Sequence, residues 1–472
     1  MGSVKRRPSP RRASGPCLVA LLLWTAHLLA VALWSLPAAA AERPPHILFF
    51  LADDLGWNDV GYHGSEIRTP HIDALARSGV RLEQFYVEPT CTATRSALLT
   101  GRYPIRQGLQ SDVVRPWSDW GLPESERTLP QALGEAGYQP LMVGKWHLGH
   151  ARRGQLPRAR GFQHHYGNYL GAINYFSHRR DGGLDWHRDG QPVEEPGYVT
   201  FLLANEAIRI LRSHDPSTPL FLYVAFTAPH TPLQAPGAYR QRYRYLDDPD
   251  RQTFAAMVAA MDDAVGRIVA VLRERGLADD SLIVFASDNG GLESHGADNG
   301  PLRGGKTELY EGGVRVPAVA VWPGRLPKGA VVESPIHVTD WYPTLLRVAG
   351  ARTEQPLPID GRDVRSILMG EAPPLREFLY NLNRKAGAIR SGRWKLLRRG
   401  SKSELFDLAQ DPAETRDLAG SHPETVRALG ARLDAYAAEA VPALAREKPE
   451  GFQAPAVWGP TASGAQGPAA GR

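Results

Sequence analysis

Residues 46–54 read His-Ile-Leu-Phe-Phe-Leu-Ala-Asp-Asp, a short apolar run that ends in two acids. A continuous apolar run of this length is typical of a strand that is covered on both faces. Similar runs occupy 220–226, 282–286 and 318–322. Helical spacing lies between them, as at 200–211 and from Phe254 to Leu272, where apolar residues recur at i, i+3 and i+4. The alternation predicts an α/β fold with a large mixed, mostly parallel sheet sandwiched by helices.

Two of the apolar runs are followed directly by side chains with oxygen donors. Asp53 and Asp54 close the first run, and Asp288 and Asn289 come after the run at 282–286. Ligands of parallel sheets bind outside the carboxyl ends of the strands, so these two segments point at one edge. Their oxygens suit a hard cation such as Ca²⁺ or Mg²⁺ and not zinc. Each segment alone is an ordinary turn sequence, and their joint occurrence favours a metal site.

The composition describes a globular protein whose basic excess is confined to one end. The chain has 472 residues, of which 43% are hydrophobic and 22% charged, and its formal net charge is +5. Five basic residues and no acids fall within residues 1–41, so the remainder carries 50 basic and 50 acidic side chains. A neutral body excludes bulk electrostatic binding of nucleic acid.

Residues 1–41 are interpreted as a signal peptide. A basic start is followed by an apolar run over 17–36 and by small residues over 37–41, which predicts cleavage near residues 39–41. The apolar run is long enough to span a bilayer, so an uncleaved anchor is the alternative. The body then keeps one cysteine, Cys91, and the chain has no Asn-x-Ser/Thr sequon. We therefore expect an exported protein, periplasmic or secreted, without an intramolecular disulfide or a stable membrane span after cleavage.

The pattern changes after residue 360. Short alternating stretches at 388–390, 394–397 and 404–408 predict antiparallel strands, and a helix is predicted over 423–438. These features predict a smaller C-terminal α+β subdomain over 361–445, after a catalytic domain over 42–360. Residues 446–472 are expected to form a disordered tail, since their end is rich in Gly, Ala, Ser and Pro.

Residues 91–102 carry the most specific motif, Cys-Thr-Ala-Thr-Arg-Ser-Ala-Leu-Leu-Thr-Gly-Arg. A lone cysteine is usually a small buried hydrophobe. Cys91, however, stands at the start of a predicted helix, with Arg95 one turn later. A helix N-terminus with an arginine favours an anion site.

This motif resembles the signature of the sulfatase family, within the alkaline phosphatase superfamily. The family commonly has Pro where Ala93 stands and Ser where Thr94 stands. Matching stretches also occur at 51–61, 142–149, 301–306 and 311–315, and the resemblance runs from Pro45 to Leu397. Within the family, the match looks closest to the N-acetylgalactosamine-4-sulfatase branch, arylsulfatase B. The resemblance implies an alkaline-phosphatase-like fold and hydrolysis of sulfate esters, on a sulfated saccharide or an aryl sulfate.

The resemblance also implies a modified nucleophile. A separate formylglycine-generating maturation enzyme would oxidise Cys91 to formylglycine (3-oxoalanine). One hydroxyl of the aldehyde hydrate would attack sulfur and the other would expel sulfate, which a plain Ser or Cys cannot do. Asp53, Asp54, Asp288 and Asn289, with the modified Cys91, would hold Ca²⁺ in preference to Mg²⁺. Asp288 is also a candidate base.

The remaining roles carry over in the same way. Arg95 and His147 would hold the hydrate. Lys145, His230 and Lys306 would bind sulfate oxygens, with His230 or Lys306 as the general acid. Apart from the resemblance, the two histidines could be structural and the two lysines could lie at the surface. Three aspartates, three basic side chains and a divalent metal give the site a charge of +2, which favours a sulfate monoanion.

Three alternatives stay open at this point. The chain could act on another sulfated glycan or an aryl sulfate, hydrolyse phosphomonoesters, phosphodiesters or phosphonates, or bind sulfated glycans without catalysis. The loops 111–123 and 173–188 are expected to line the mouth of the site. Their aromatic residues, Trp117, Trp120, Tyr175 and Trp186, could stack on sugar rings or belong to the core.

Overall fold

A ten-stranded sheet runs through the unit formed by residues 44–472. The computed structural model describes residues 1–10, 43–371, 376–380, 383 and 386–460. Its strands are β1 His46–Asp53, β2 Val80–Leu82, β3 Phe85–Tyr86, β4 Gln139–Gly144, β5 His164–Gly167, β6 Arg179–Arg180, β7 Gly183–Leu184, β8 His187–Arg188, β9 Gln191–Pro192, β10 Leu220–Pro229, β11 Ser281–Ser287, β12 Ala318–Val321, β13 Ala330–Val332, β14 Ile336–His337, β15 Glu377–Tyr380, β16 Ala386–Ser391, β17 Trp394–Arg399 and β18 Lys402–Asp407.

The centre of the ten-stranded sheet is parallel, as the sequence predicts. Its strands lie in the order β13-β2-β12-β11-β1-β10-β4-β5-β8-β9. β11, β1, β10, β4 and β5 are parallel neighbours, whereas β12 runs antiparallel to β11 and β8 antiparallel to β5. The predicted mixed, mostly parallel sheet is therefore confirmed. β10 continues beyond the apolar run to Pro229, because its backbone goes on pairing with β1 past a register shift near Asp53.

Helices cover both faces of the sheet. They are α1 Pro70–Ser78, α2 Cys91–Thr100, α3 Leu129–Glu135, α4 Val199–Ser213, α5 Gly237–Arg242, α6 Pro249–Glu274, α7 Glu311–Val314, α8 Trp341–Val348, α9 Arg365–Leu368 and α10 Pro423–Ala438. β1 supplies both cores, since Leu48 and Phe50 pack on the side of α4 and α6, and Phe49 on the side of α2 and α8. Alternate side chains of a strand point to opposite faces, so a strand buried on both sides is continuously apolar.

A second sheet lies in the C-terminal part of the chain. β15, β16, β17 and β18 form four consecutive antiparallel strands, and α10 packs against β16 and β17. The helix has the bounds that the sequence predicts, 423–438. This confirms the smaller antiparallel α+β element of the predicted fold.

The last described segment has defined contacts, which differs from the disordered tail expected from residue 446. The indole N–H of Trp458 donates to the carbonyl of Arg180 at 2.8 Å, and its side chain is buried. The backbone N–H of Leu184 donates to Ala456 at 2.9 Å. Composition alone misses this segment because a single buried tryptophan anchors it. Residues 461–472, the rest of the predicted tail, lie outside the described residues.

The N-terminal unit, Met1–Arg43, is described over residues 1–10 and at Arg43. Residues 1–10 are exposed and have no regular secondary structure. Most of the predicted signal peptide, from residue 11 to its end, lies outside the described residues. No helix in the described part of the chain combines the length and apolar character needed to cross a bilayer.

A buried ion cluster joins the C-terminal sheet to the loops at the edge of the main sheet. The ammonium of Lys395, on β17, lies 2.8 Å from Glu311 Oε1 and 3.0 Å from Glu414 Oε1, and all three side chains are fully buried. Tyr86 donates to Glu311 Oε2 at 2.6 Å. Glu311 opens α7, so this cluster fixes the turn that follows Lys306 along the chain.

Replacing Lys395 with Met should lower the free energy of unfolding by about 3–5 kcal/mol, because it leaves two buried carboxylates without their cation. Lys402→Met, on the neighbouring strand β18, is the matched control. The Lys402 side chain is 72% exposed, and its partner Glu404 keeps the hydrogen bond from Tyr310, so the loss of Lys402 should have little effect. Urea unfolding followed by tryptophan fluorescence measures both. Equal midpoints for the two variants would contradict the buried-pair interpretation.

Candidate active site

Four adjacent parallel strands deliver polar side chains to one edge of the main sheet. β1 ends at Asp53, β4 is followed by Lys145, β10 by His230 and β11 by Asp288. The strands lie side by side in the order β11-β1-β10-β4. This edge is the carboxyl end of the parallel strands, where ligands of such sheets bind. The structure brings Asp53 and Asp288 together at this edge, as expected from the sequence.

Cys91 is the first residue of α2, as the sequence predicts. Its sulfur lies within 4.8 Å of ligand atoms from Asp53, Asp54 and His230. Cys91 is 1% exposed, and burial raises the pKa of its thiol to about 12 even though Lys145 and Lys306 favour the thiolate. The unmodified thiol is therefore protonated at neutral pH and is a poor nucleophile.

Three buried cations neutralise the three buried carboxylates around Cys91. Lys145 Nζ lies 2.5 Å from Asp53 Oδ2, and Lys306 Nζ lies 2.7 Å from Asp54 Oδ2. Arg95 donates to Asp288 Oδ2 through Nε at 3.0 Å and through Nη2 at 2.8 Å. The lysines are not surface residues, which excludes that alternative.

The carboxylates differ in their pKa values according to their surroundings. Burial raises the pKa of Asp288 to about 6, and the nearby charge of Asp53 adds to this effect. For Asp54, burial also favours the neutral form, but the charges of Lys306 and Lys145 outweigh it and hold the pKa well below its usual range. Asp54 is thus an anion at every physiological pH.

The oxygen donors of this cluster fit a hard divalent cation. Oδ1 of Asp53 and Oδ1 of Asn289 are both buried, and neither accepts a hydrogen bond from the described residues. The Asn289 amide is oriented by its Nδ2, which donates to Asp54 Oδ1 at 2.7 Å. Buried acceptors without hydrogen-bond donors are costly, and oxygen atoms of this kind are the ligands that a hard cation prefers. Asp53, Asp54, Asp288 and Asn289 are the residues that could hold it.

His147 presents one free ring nitrogen inside the site. Its Nε2 donates to the carbonyl of Val114 at 3.0 Å, so Nδ1 carries the lone pair. Nδ1 is buried, without a hydrogen-bond partner in the described chain. Burial, with Lys145 and Arg95 nearby, lowers the pKa of His147 well below its usual value. Gly171 packs on the ring, where an added Cβ would lie 2.4 Å from Nε2.

His230 is held through its Nδ1, whereas His147 is held through its Nε2. Its Nδ1 donates to the carbonyl of Thr231 at 2.6 Å, which leaves Nε2 facing Asp54 Oδ2 at 3.6 Å. Burial lowers the pKa of His230 to about 3, and Lys306 and Lys145 oppose protonation further. The ring is therefore neutral in this arrangement.

Two residues that support the site, Asn299 and Thr92, were not predicted from the sequence. Asn299 donates from Nδ2 to the carbonyl of Gly291 at 3.0 Å and accepts from its N–H at 2.8 Å, and the N–H of Lys306 donates to the same carbonyl. Thr92 donates to the carbonyl of His147 at 3.1 Å. Thr92 lies inside the Cys91 motif, but Asn299 looks like an ordinary turn residue, so only proximity reveals its role.

For three of the four aromatic side chains on the loops 111–123 and 173–188, the structure decides between the two alternatives in favour of the core. Trp120, Tyr175 and Trp186 are all buried. The Tyr175 hydroxyl lies 2.7 Å from the carbonyl of Thr227 and 2.8 Å from that of His230, so this side chain positions the end of β10. Trp117 packs near Phe452, with ring centroids 6.3 Å apart.

Comparison with known proteins assigns this arrangement to a family. The Sulfatase family model matches residues 45–351, and the model for the C-terminal part of N-sulphoglucosamine sulphohydrolase matches residues 305–438. The chain belongs to the sulfatase family. It is accordingly a sulfuric ester hydrolase with the alkaline phosphatase superfamily fold, as the Cys91 motif suggested.

Individual relatives share most of the chain. Arylsulfatase J of Mus musculus is 37% identical and covers 86% of this chain and 80% of its own length. N-acetylgalactosamine-6-sulfatase of Canis lupus familiaris is 33% identical over 78% of this chain and 74% of its own length. The crystal structure of Ps i-CgsB has 34% identity and a TM-score of 0.81, covering 85% of this chain and 94% of that one.

These relatives correct one detail of the sequence analysis. The motifs suggested arylsulfatase B within the family, whereas the comparisons support arylsulfatase J in its place. The signature motifs surround the sulfate-binding residues, which sulfatases of different substrates share. They therefore identify the family better than the branch.

Adding Ca²⁺ should raise the melting temperature of the protein, because the ion binds buried oxygens that only the folded chain brings together. At a concentration 100 times Kd the expected stabilisation is about 2.7 kcal/mol. Asp53→Asn should remove most of this shift, and Asp119→Asn, at an exposed position beside Arg152, should keep it. Thermal unfolding with Ca²⁺, Mg²⁺ or chelator measures the effect. A shift of the same size in both variants would contradict the proposed ligands.

Proposed function

We propose that the protein hydrolyses sulfate esters of sulfated saccharides after Cys91 is matured to formylglycine, with Ca²⁺ bound by Asp53, Asp54, Asp288 and Asn289. The single observation that carries this proposal is the position of Cys91. It starts a helix inside a closed set of three carboxylates and three cations, within a chain of the sulfatase family. The maturation enzyme is a required partner in this proposal.

Formylglycine would supply the nucleophile that the thiol cannot, through a hydrate with two hydroxyls. The side chains around Cys91 are placed to orient it. Nδ1 of His147 is a buried acceptor without a donor, suited to a hydroxyl hydrogen. Asp288, whose pKa burial raises to about 6, is the candidate base. Arg95 acts through Asp288, since both of its short contacts to this carboxylate fix its orientation.

We assign the binding of the sulfate group to Lys145 and Lys306. Lys145 follows β4 and Lys306 lies in the loop before α7, and each contacts one of the two aspartates at the end of β1. A sulfate ester is a monoanion that both ammonium groups can bind. Lys306 would give the proton to the leaving alcohol, and Nε2 of His230 could do so only after it is protonated, because the neutral ring carries its proton on Nδ1. A bound divalent cation would supply electrostatic stabilisation of charge on the sulfate oxygens.

Mass spectrometry of the Cys91 peptide, from protein made with a formylglycine-generating enzyme, should show the aldehyde in place of the thiol. Cys91→Ala should lose at least about 10³-fold in kcat on an aryl sulfate, because the nucleophile is gone. The melting temperature of this variant should stay close to that of the unmodified protein, which serves as the folding control. A variant that keeps full turnover would overturn the mechanism.

For the substrate, we propose N-acetylgalactosamine 4-sulfate units, as in chondroitin or dermatan sulfate. The relative named N-acetylgalactosamine-6-sulfatase supports the sugar, and position 4 is the part of the proposal that the saccharide panel tests. Sulfated glycans as a class are supported by two relatives: one is named N-acetylgalactosamine-6-sulfatase, and the other, Ps i-CgsB, has a structure in complex with k-i-k-neocarrahexaose. Export to the periplasm or medium, where such polymers occur, is part of the proposal.

A panel of defined saccharides decides the position of the ester. Units of galactosamine sulfated at position 4 should be hydrolysed with a kcat/KM at least tenfold above that of units sulfated at position 6, since a misplaced ester cannot align with the nucleophile. Release of sulfate by ion chromatography is the measurement. Turnover of another sugar sulfate, without any of the 4-sulfated units, would refute the narrower assignment and leave the sulfatase activity intact.

A further inference from the structure

A polar cavity of about 600 Å³ adjoins the proposed sulfate site. Thr231 and Pro232 form one wall, and they directly follow His230. The hydrogen bond between His230 Nδ1 and the carbonyl of Thr231 connects this wall to the site. The opposite wall comes from the loop that includes Asn174 and from the β6–β7 hairpin.

The hairpin holds two arginines in fixed positions. Arg179 and Arg180 form β6 and line the cavity. The turn residues Asp181 and Gly182 both have positive φ, 49° and 89°, as the tight turns of two-residue hairpins require. Trp458 caps the hairpin by donating to the carbonyl of Arg180. The arginine backbone is therefore ordered before any ligand binds.

An aromatic side chain, Phe176, lies in the chain between Asn174 and Ser177, which both line the cavity. Phe176 is 49% exposed, unlike the buried Tyr175 beside it. The loop around Phe176 is tight, because Oδ1 of Asn174 accepts from the N–H groups of Phe176 and Ser177 at 3.1 and 2.9 Å. An exposed ring on a rigid loop, beside a polar cavity, is suited to packing against the apolar face of a sugar.

The charges of the arginines remain accessible to a ligand. Arg179 pairs with Glu194 at 2.9 Å, and Arg180 lies 3.4 Å from Asp181. All four side chains are at least one-third exposed, and exposed pairs of this kind contribute little stability. An incoming anion can replace these carboxylates, and the planar guanidinium group can bind it through two hydrogen bonds.

We propose that this cavity is the subsite for the saccharide unit next to the sulfated one, and that it prefers a unit carrying an anionic group, either a sulfate ester or a carboxylate. Phe176 supports the ring of this unit, and Arg179 and Arg180 bind its charge. The inference rests on the proposed function and deepens it, since it makes the natural substrate an oligosaccharide with at least two charged positions.

The test compares substrates that reach the cavity with one that does not. The matured enzyme is assayed on a small aryl sulfate and on three sulfated disaccharides whose second unit carries a sulfate, a carboxylate or no charge. Arg179→Gln and Phe176→Ser are the test variants. Arg212→Gln is the matched control, because its exposed side chain lies at the far end of α4 beside Glu274.

For Arg179→Gln, the ratio of kcat/KM on the charged disaccharides to kcat/KM on the aryl sulfate should fall about tenfold, the effect of one charge-assisted hydrogen bond. Phe176→Ser should lower this ratio for all three disaccharides. Comparison of the disaccharide whose second unit carries a sulfate with the one that carries a carboxylate shows which anion the arginines prefer. A change below threefold in Arg179→Gln, or an equal change in Arg212→Gln, overturns the subsite.

Failure of the proposed function gives a different result. It appears as a matured wild-type protein that turns over neither the aryl sulfate nor any disaccharide. The subsite is then tested by binding alone, with the Cys91→Ala protein and the same disaccharides in isothermal titration calorimetry. Arg179→Gln on this background should weaken the Kd for the charged disaccharides about tenfold, and an unchanged Kd overturns the inference.

Discussion

Mutual neutralisation of three carboxylates and three cations, buried at the carboxyl edge of the main sheet, is the interaction on which the rest of the structure depends. Asp53, Asp288 and Lys145 have no exposed surface. Removing such groups from water is expensive, and each is tolerated because an opposite charge lies within hydrogen-bond distance. The parallel order of the strands makes this possible, because it brings the ends of four separate segments to one place.

The neutralised cluster is also suited to bind a cation together with an anion. Its fixed charges cancel, so a divalent cation gives the site a net charge of +2, which a sulfate monoanion then reduces. Among the described residues, Oδ1 of Asp53, Oδ1 of Asn289 and Nδ1 of His147 are buried in the site without a hydrogen-bond partner. A buried polar atom without a partner is costly, and each of these three has a place in the proposed chemistry.

Support for the site extends far from the reacting atoms. Asn299 fixes the backbone before Lys306, and Lys395 fixes α7 behind it. The C-terminal sheet therefore does more than enlarge the core: it supplies the buried ammonium that holds Glu311 in place. Likewise, the segment around Trp458 orders the β6–β7 hairpin. Loops that carry function are held by contacts from distant parts of the chain.

The sequence by itself determined three strands of the parallel sheet, β1, β10 and β11, together with the helix over 423–438 and the motif around Cys91, because periodicity and motif spacing are local properties. It also placed Asp53 and Asp288 at strand ends. Only the tertiary structure decided which groups pair, since Arg95 and Asp288 are 193 residues apart and Asn289 and Asp54 are 235 apart. It likewise decided that Tyr175 is core while its neighbour Phe176 faces solvent, because burial depends on packing between segments that no local pattern encodes.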